Sequence, residues 1–477
     1  MPSIEHILAD HSGRGYVVAP AGFGKTHLIA QAVGLCARRQ LVLTHTYAGV
    51  GAITNRLRRL GVPRDLYQVD TIASWSLRLC LAYRVTSGWD CDRPDTDQWS
   101  DLYRTTAELL ELGFIKRILQ ASYAGVFVDE YQDCSIAQHA VVMKISEALP
   151  CRVLGDHMQA IFEFNEPSVS WIADVVGKFD KLGELNIPQR WVLAGRPELG
   201  SWLRSVRECL ESGTPIDCSQ RVAGLRFVSV RETSELIRVQ LKECKYFTCK
   251  GGETVVGIHK GEQAFKAKCH SLARQLGGAY TSIEEVEGRA LRSALKQAGR
   301  AKTATSALKH LVEFAELCMT GVKVKLPASV VRGEYTNIRA TTRNPQAAQA
   351  ANFFLESPDP RTMLQFLTAT KDTPGITLFR ADLFYRMCGV LRKNVMRPEL
   401  TLQEAADEYQ SEFRHRGRPI ARRRLLGTTL LLKGLEFDHA IVLDASSLRR
   451  KELYVAMTRG AKSVTLIGPT PELCPSL

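Results

Sequence analysis

The 477-residue chain has no apolar run of about 18 residues, the length a helix needs to cross a bilayer. Its opening, MPSIEHILADHSGRG, lacks the basic flank and long apolar stretch of a secretory leader. Membrane insertion and export are not expected, and a cytoplasmic location is. The thirteen cysteines include no CxxC pair, so they read as mostly buried thiols in a reducing compartment. Cys244, Cys249, Cys269 and His270 fit no common zinc-finger spacing. No fixed-period repeat and no low-complexity tract is present. Acidic residues are the scarcer charge, 50 against 63 basic ones, for a net charge of +13. That excess favours a polyanionic partner such as nucleic acid. Hydrophobic residues make up 45% and charged residues 24%, an ordinary globular balance, and the length suggests about three domains.

Short apolar runs alternate with longer helical patterns over the first 190 residues. Tyr16–Ala19, Leu41–Thr44, Val126–Asp129 and Arg152–Gly155 read as buried strands. Strand–helix alternation of this kind predicts a parallel sheet covered on both faces. Between Tyr83 and Leu112 the polar stretch WDCDRPDTDQWS breaks the pattern, and a small insertion is expected there. A second alternating region has strand candidates at Leu225–Val230, Thr254–His259, Ile376–Phe379, Ala440–Asp444 and Val464–Ile467. Between Gly288 and Asn344 there are eleven Lys/Arg against three Glu. This helical, basic stretch reads as an inserted subdomain whose surface either tracks phosphates or is simply a solvated helical face. The expected architecture is α/β, with two parallel-sheet domains and small helical insertions. Their expected bounds are 1–82 with 113–192 (insertion 83–112), and 193–287 with 374–477 (insertion 288–373).

Ala19–Thr26 reads APAGFGKT, directly after a strand and directly before a helix. Glycines at 22 and 24 let backbone fold around phosphates, where a side chain would collide. The loop from Ala21 through Gly22, Phe23 and Gly24 is expected to offer N–H groups to an anion at a helix N-terminus. Lys25 is expected to reach the β- and γ-phosphates and Thr26 to hold Mg²⁺. Ala19 stands where the strict pattern has glycine.

Val128–Cys134 reads VDEYQDC at the end of a second apolar strand. Asp129 is a candidate Mg²⁺ ligand. Glu130 is the candidate base that polarises water for attack on the γ-phosphate. ATP and Mg²⁺ are the cofactors these two segments call for.

Further segments follow in order: THTYAGVGAITNRL (Thr44–Leu57), VDTIASWS (Val69–Ser76), LGDHMQAIFEF (Leu154–Phe164), LNIPQRW (Leu185–Trp191), GTTLLLKGLEFD (Gly427–Asp438) and LYVAMTRGAKSVTLI (Leu453–Ile467). Together with the two phosphate-site segments they resemble the motifs of UvrD-like superfamily 1 DNA helicases. The resemblance implies two RecA-like domains with ATP between them and 3′-to-5′ movement along one DNA strand. It implies that Gln159 senses the γ-phosphate. Arg190 and Arg459 are implied to be arginine fingers reaching from the second domain, and Gly434 and Glu436 to contact the ribose. Thr44, Thr46, Thr71, Phe162 and Phe164 fall where the family contacts single-stranded DNA, the aromatics by stacking on bases. Trp75 is a weaker stacking candidate, since a tryptophan on a helix more often lies in the core.

The chain departs from the family pattern at several positions. Its first 24 residues contain no glutamine to read the adenine edge. Leu430 stands where histidine is usual, Tyr47 and Ala48 where asparagine and lysine are usual, and Phe164 where tryptophan is usual. The insertions are also smaller than typical. In size and motif style the chain resembles helicase subunits of Gabija-type anti-phage systems, which implies a nuclease partner protein. The alternative role is then a nucleotide-switched regulatory or scaffolding subunit. The main expectation is an ATP hydrolase acting on single-stranded DNA or on DNA with a single-stranded tail.

Overall fold

The computed structural model describes residues 2–162, 167–285, 288–416 and 422–476. The chain forms two compact units. The first comprises Met1–Thr214 with Arg450–Thr458, the second Pro215–Arg449 with Arg459–Ser476.

The first unit is built on β1 (Arg14–Val18), β2 (Gln40–Thr44), β3 (Tyr67–Thr71), β4 (Gly125–Val128), β5 (Cys151–Gly155) and β6 (Asp180–Glu184). They form one parallel sheet in the order β3-β2-β4-β5-β1-β6. Its helices are α1 (Ile4–Asp10), α2 (Lys25–Leu35), α3 (Tyr47–Arg59), α4 (Ile72–Ala82), α5 (Arg84–Ser87), α6 (Trp99–Glu111), α7 (Gly113–Ser122), α8 (Ile136–Ile145), α9 (Gln189–Leu193), α10 (Pro197–Ser212) and a late helix, Arg450–Met457. Successive strand side chains point to opposite faces, and the core divides accordingly. Val17, Val42, Phe127 and Leu154 pack with Leu8, Ile29, Val33, Ile53 and Leu57 of α1, α2 and α3. Tyr16, Leu43, Val128 and Val153 pack with Trp75, Tyr103, Ile115 and Val142 of α4, α6, α7 and α8. Trp75 is therefore core. Burial on both faces is why the strands read as continuous apolar runs.

Three features of this unit differ from the expected bounds. From Trp99 onward the presumed insertion is the covering helix α6, whose Tyr103 and Leu110 join the core under the sheet. Helix α10, expected in the second domain, belongs here, with Leu199, Trp202, Leu203 and Leu210 buried. The helix Arg450–Met457 belongs here too, although the strands flanking it lie in the second unit.

The second unit contains β7 (Ile216–Asp217), β8 (Leu225–Ser229), β9 (Val255–His259), β10 (Thr281–Ser282), β11 (Met319–Thr320), β12 (Thr377–Leu378), β13 (Arg424–Thr428), β14 (Phe437–Val442), β15 (Gly460–Gly468) and β16 (Glu472–Leu473). Six of them form a second parallel sheet, β10-β13-β9-β14-β15-β8. The two parallel sheets with flanking helices are the α/β architecture expected. The segment Ile376–Phe379 is not part of the large sheet. Its β12 pairs antiparallel with β11 inside a helical body. That body shares one core from Leu291 to Ala406, so it begins where expected but runs on past residue 373. The helix Ala381–Met396 explains the extension: Leu383, Phe384, Met387, Val390 and Leu391 are buried along one side. A buried ion pair, Arg380 with Glu284 at 2.7 and 2.9 Å, ties the base of this body to the segment after β10.

Among the described residues no helix is long and apolar enough to cross a membrane. None of their His, Cys, Asp and Glu side chains cluster in threes that could hold a metal ion. Cys244 and Cys269 are buried in the apolar core of the second unit.

Candidate nucleotide site

The phosphate loop begins inside the sheet. The Ala19 N–H still donates to Gly155 O at 2.8 Å, and the chain then turns, with Phe23 N–H on Pro20 O at 3.1 Å. Gly22 and Gly24 have φ of +79° and +97°, where side-chain-bearing residues are strained. At Gly22 a Cβ would also lie 2.9 Å from the Trp191 ring. Gly24 caps α2, and its carbonyl accepts from His27 and Leu28 N–H, both at 3.0 Å. The start of α2 therefore brings backbone N–H groups and the positive end of its dipole to the loop.

Lys25 and the acidic pair meet beside this loop. The Lys25 ammonium lies 3.1 Å from Asp129 Oδ1 and 2.6 Å from Glu130 Oε2. Lys25 and Asp129 are buried. Burial alone would lower the lysine pKa, but Asp129 and Glu130 outweigh it and hold the ammonium charged. Burial pushes the Asp129 carboxyl above its usual range; Lys25 opposes the shift and Glu130 adds to it. Glu130 has φ of +54°, one of two such non-glycine residues among those described. Its backbone N–H donates to Asp129 Oδ1 at 2.9 Å, and its Oε2 accepts from Gln132 Nε2 at 2.6 Å. Strain of this kind persists where the surroundings over-determine the backbone, and it clusters at functional sites. The donor set suits Mg²⁺, which keeps several waters and takes one or two protein oxygens. Asp129 stands at the end of β4, Thr26 in the first turn of α2, and the two carboxylates already converge on a cation, the ammonium of Lys25.

Gln159 is buried and donates to Asp156 Oδ2 at 3.0 Å. Arg190 lies in the first unit, not the second. Its backbone N–H donates to Gly22 O at 2.9 Å, its guanidinium to Thr458 O, and it lies 5.5 Å over the Trp191 ring. This placement follows from the sheet: Leu185 N–H bonds to Val18 O at the end of β1, and α9 starts four residues later, which carries the segment over the loop. Arg459 belongs to the second unit and is buried. Its Nη1 donates to Leu435 O at 3.0 Å, so Arg459 contacts the turn containing Gly434 and Glu436. Gly434 has φ of +78°, and Glu436 is exposed.

Two of the threonines expected at DNA are buried. Thr44 and Thr71 are 1% and 2% exposed, so neither hydroxyl faces outward. Thr71 Oγ1 accepts from Ser74 N–H at 3.0 Å and starts α4; Thr46, which is exposed, accepts from Gly49 N–H at 3.1 Å and starts α3. These hydroxyls act as helix caps. The two segments do meet, because the Tyr47 hydroxyl is hydrogen-bonded to Ser74 Oγ. Phe162 is half-buried, and Phe164 lies outside the described residues.

Sequence reasoning missed Gln132, Asp156, Arg207 and Tyr454, a connected group that reaches the loop through Ala21. The Ala21 N–H donates to Asp156 Oδ2 and to the Tyr454 hydroxyl, and Arg207 pairs with Asp156. Asp156 and Tyr454 sit inside quoted motifs, but nothing local marks Arg207, on α10, as their partner.

Residues 83–180 match the UvrD/REP helicase N-terminal domain. The match includes Asp129, Glu130 and Gln159 and begins after the phosphate loop. Among solved structures the chain is similar to an arterivirus nonstructural protein 10 helicase, with DNA (13% identity, TM-score 0.27) and without it (13%, 0.28). It is also similar to a Pif1 helicase from Bacteroides in complex with ADP-AlF3 and ssDNA (12%, 0.27). These alignments take in 54%, 56% and 56% of this chain, and 49%, 52% and 54% of the other chains. The chain thus spans about half the length of each. No curated protein matches it.

Proposed function

We propose that the chain is an ATP-dependent DNA helicase or translocase whose ATPase is stimulated by single-stranded DNA and whose movement is 3′ to 5′. The observation that carries this is the convergence of Lys25, Asp129 and Glu130 beside a glycine loop at the start of α2. A lysine for phosphate oxygens, a buried carboxylate and a second, less buried carboxylate are the parts that phosphoryl transfer to water requires. In this scheme Lys25 moves its charge from the carboxylates to the phosphates. Asp129 and Thr26 would hold Mg²⁺, which would supply positive charge to the phosphate oxygens. Glu130, released from Lys25, orients the attacking water and accepts its proton. Gln159, Arg190 and Arg459 are assigned to sensing the γ-phosphate and stabilising transition-state charge. The net charge of +13 suits a polyanionic track.

Phosphate release measured with single-stranded DNA, duplex DNA, RNA and no nucleic acid, using ATP and GTP, tests this. Stimulation by single strands is expected, as is loss of turnover in Lys25→Ala and Glu130→Gln. Retained turnover in either variant refutes the assignment. Strand displacement that appears only with an added nuclease partner supports the subunit role instead.

A further inference from the structure

The stem of the phosphate loop is tied to two helices that arise from distant parts of the chain. The Ala21 N–H is shared between Asp156 Oδ2 at 3.2 Å and Tyr454 Oη at 3.3 Å. Arg207 on α10 donates to Asp156 Oδ1, pairs with Glu211 at 2.9 Å, and lies 5.7 Å over the Tyr454 ring. Asp156 also accepts from Met158 N–H at 3.1 Å and Gln159 Nε2 at 3.0 Å. Asp156, Tyr454 and Arg207 are 0%, 1% and 5% exposed. A carboxylate this far from water persists only when its partners hold it. Burial, reinforced by Asp156, pushes the Tyr454 phenol upward, so it remains neutral at working pH.

We infer that Asp156, Arg207 and Tyr454 are positioning residues that preset the phosphate loop for a nucleoside triphosphate. The inference rests on the nucleotide-binding function proposed above. Two loop residues are glycines, and an unanchored glycine loop loses more conformational entropy when it closes on phosphate. Anchoring Ala21 removes part of that loss before the ligand arrives. The trio also gives the loop a direct link to the helix Arg450–Met457, which leads into Arg459. A ligand that pulls on the loop acts on that helix, and displacement of the helix acts on the loop.

Tyr454→Phe isolates the effect, because it keeps the ring over Arg207 and removes only the hydroxyl. Binding of a fluorescent ADP analogue is expected to weaken about fivefold, the effect of one neutral hydrogen bond. The KM for ATP should rise more than kcat falls, with the melting temperature lowered by no more than about 2–4 °C, the value of one such hydrogen bond in a unit of this size. Asp156→Asn should weaken binding further, and Arg207→Lys should recover part of what Arg207→Met loses. Wild-type affinity and KM in Tyr454→Phe would overturn the inference, whatever happens to the more disruptive variants. A wild-type chain that binds no analogue would instead overturn the nucleotide-binding function on which it rests.

Discussion

Replacing Lys25 by methionine leaves two carboxylates facing each other without their cation. Asp129 is 6% exposed at its side chain and Glu130 31%, so only the first is fully desolvated. Removing one partner of a buried ion pair costs about 3–5 kcal/mol, and the partial solvation of Glu130 argues for the lower end, about 3 kcal/mol. For a unit of this size each kcal/mol shifts the melting temperature by about 2–4 °C, so a drop of about 6–12 °C is expected. The pH dependence has a definite sign. Burial raises the Asp129 carboxyl and Glu130 adds to the rise, while Lys25 opposes it. A carboxyl raised in the folded state contributes stability at low pH and loses it as pH rises through the raised value. Methionine at 25 removes the opposing charge, so the deficit should be larger at pH 8 than at pH 5. Scanning fluorimetry of the ligand-free chain at both pH values measures it. An unchanged melting temperature, or a deficit larger at pH 5, would refute this electrostatic account.

Gly22→Ala combines a positive-φ penalty with a Cβ 2.9 Å from the Trp191 ring. The strain alone is worth about 1–3 kcal/mol. Loss of nucleotide binding at saturating ligand is expected, measured by calorimetry; wild-type affinity would show that the loop tolerates a side chain there. Arg380→Met strands the buried Glu284 carboxylate, and loss of about 3–5 kcal/mol is expected in urea unfolding of the second unit. Arg380→Met together with Glu284→Leu should recover most of that loss, since an apolar pair carries no uncompensated charge.

The positions of the glycine loop and the acidic pair were legible from the sequence because their signals are local. A glycine loop between strand and helix, and an acidic pair at a strand end, span a few residues and obey backbone rules alone. The strands β1, β2, β4, β5, β9, β14 and β15 were equally plain, as both faces of each sheet are covered and the runs are apolar. The edge strand β6, Asp180–Glu184, carries polar, partly exposed residues and gave no such signal. The two-residue β10 is too short to produce a pattern. Ile376–Phe379 has the composition of a sheet strand, and only the neighbouring helices decided that it pairs elsewhere.

The sequence by itself determined the two sheets, the phosphate loop and the carboxylates beneath it, since each depends on the order of neighbouring residues. Tertiary structure alone decided that Arg190 packs on the loop of its own unit, that Thr44 and Thr71 are buried, and that Arg207 meets Asp156 and Tyr454. The Arg207–Asp156 contact joins residues 51 positions apart, and the Ala21–Tyr454 contact beside it joins residues 433 apart. Their energy comes from desolvation and charge pairing, which exist only once the chain has folded around them.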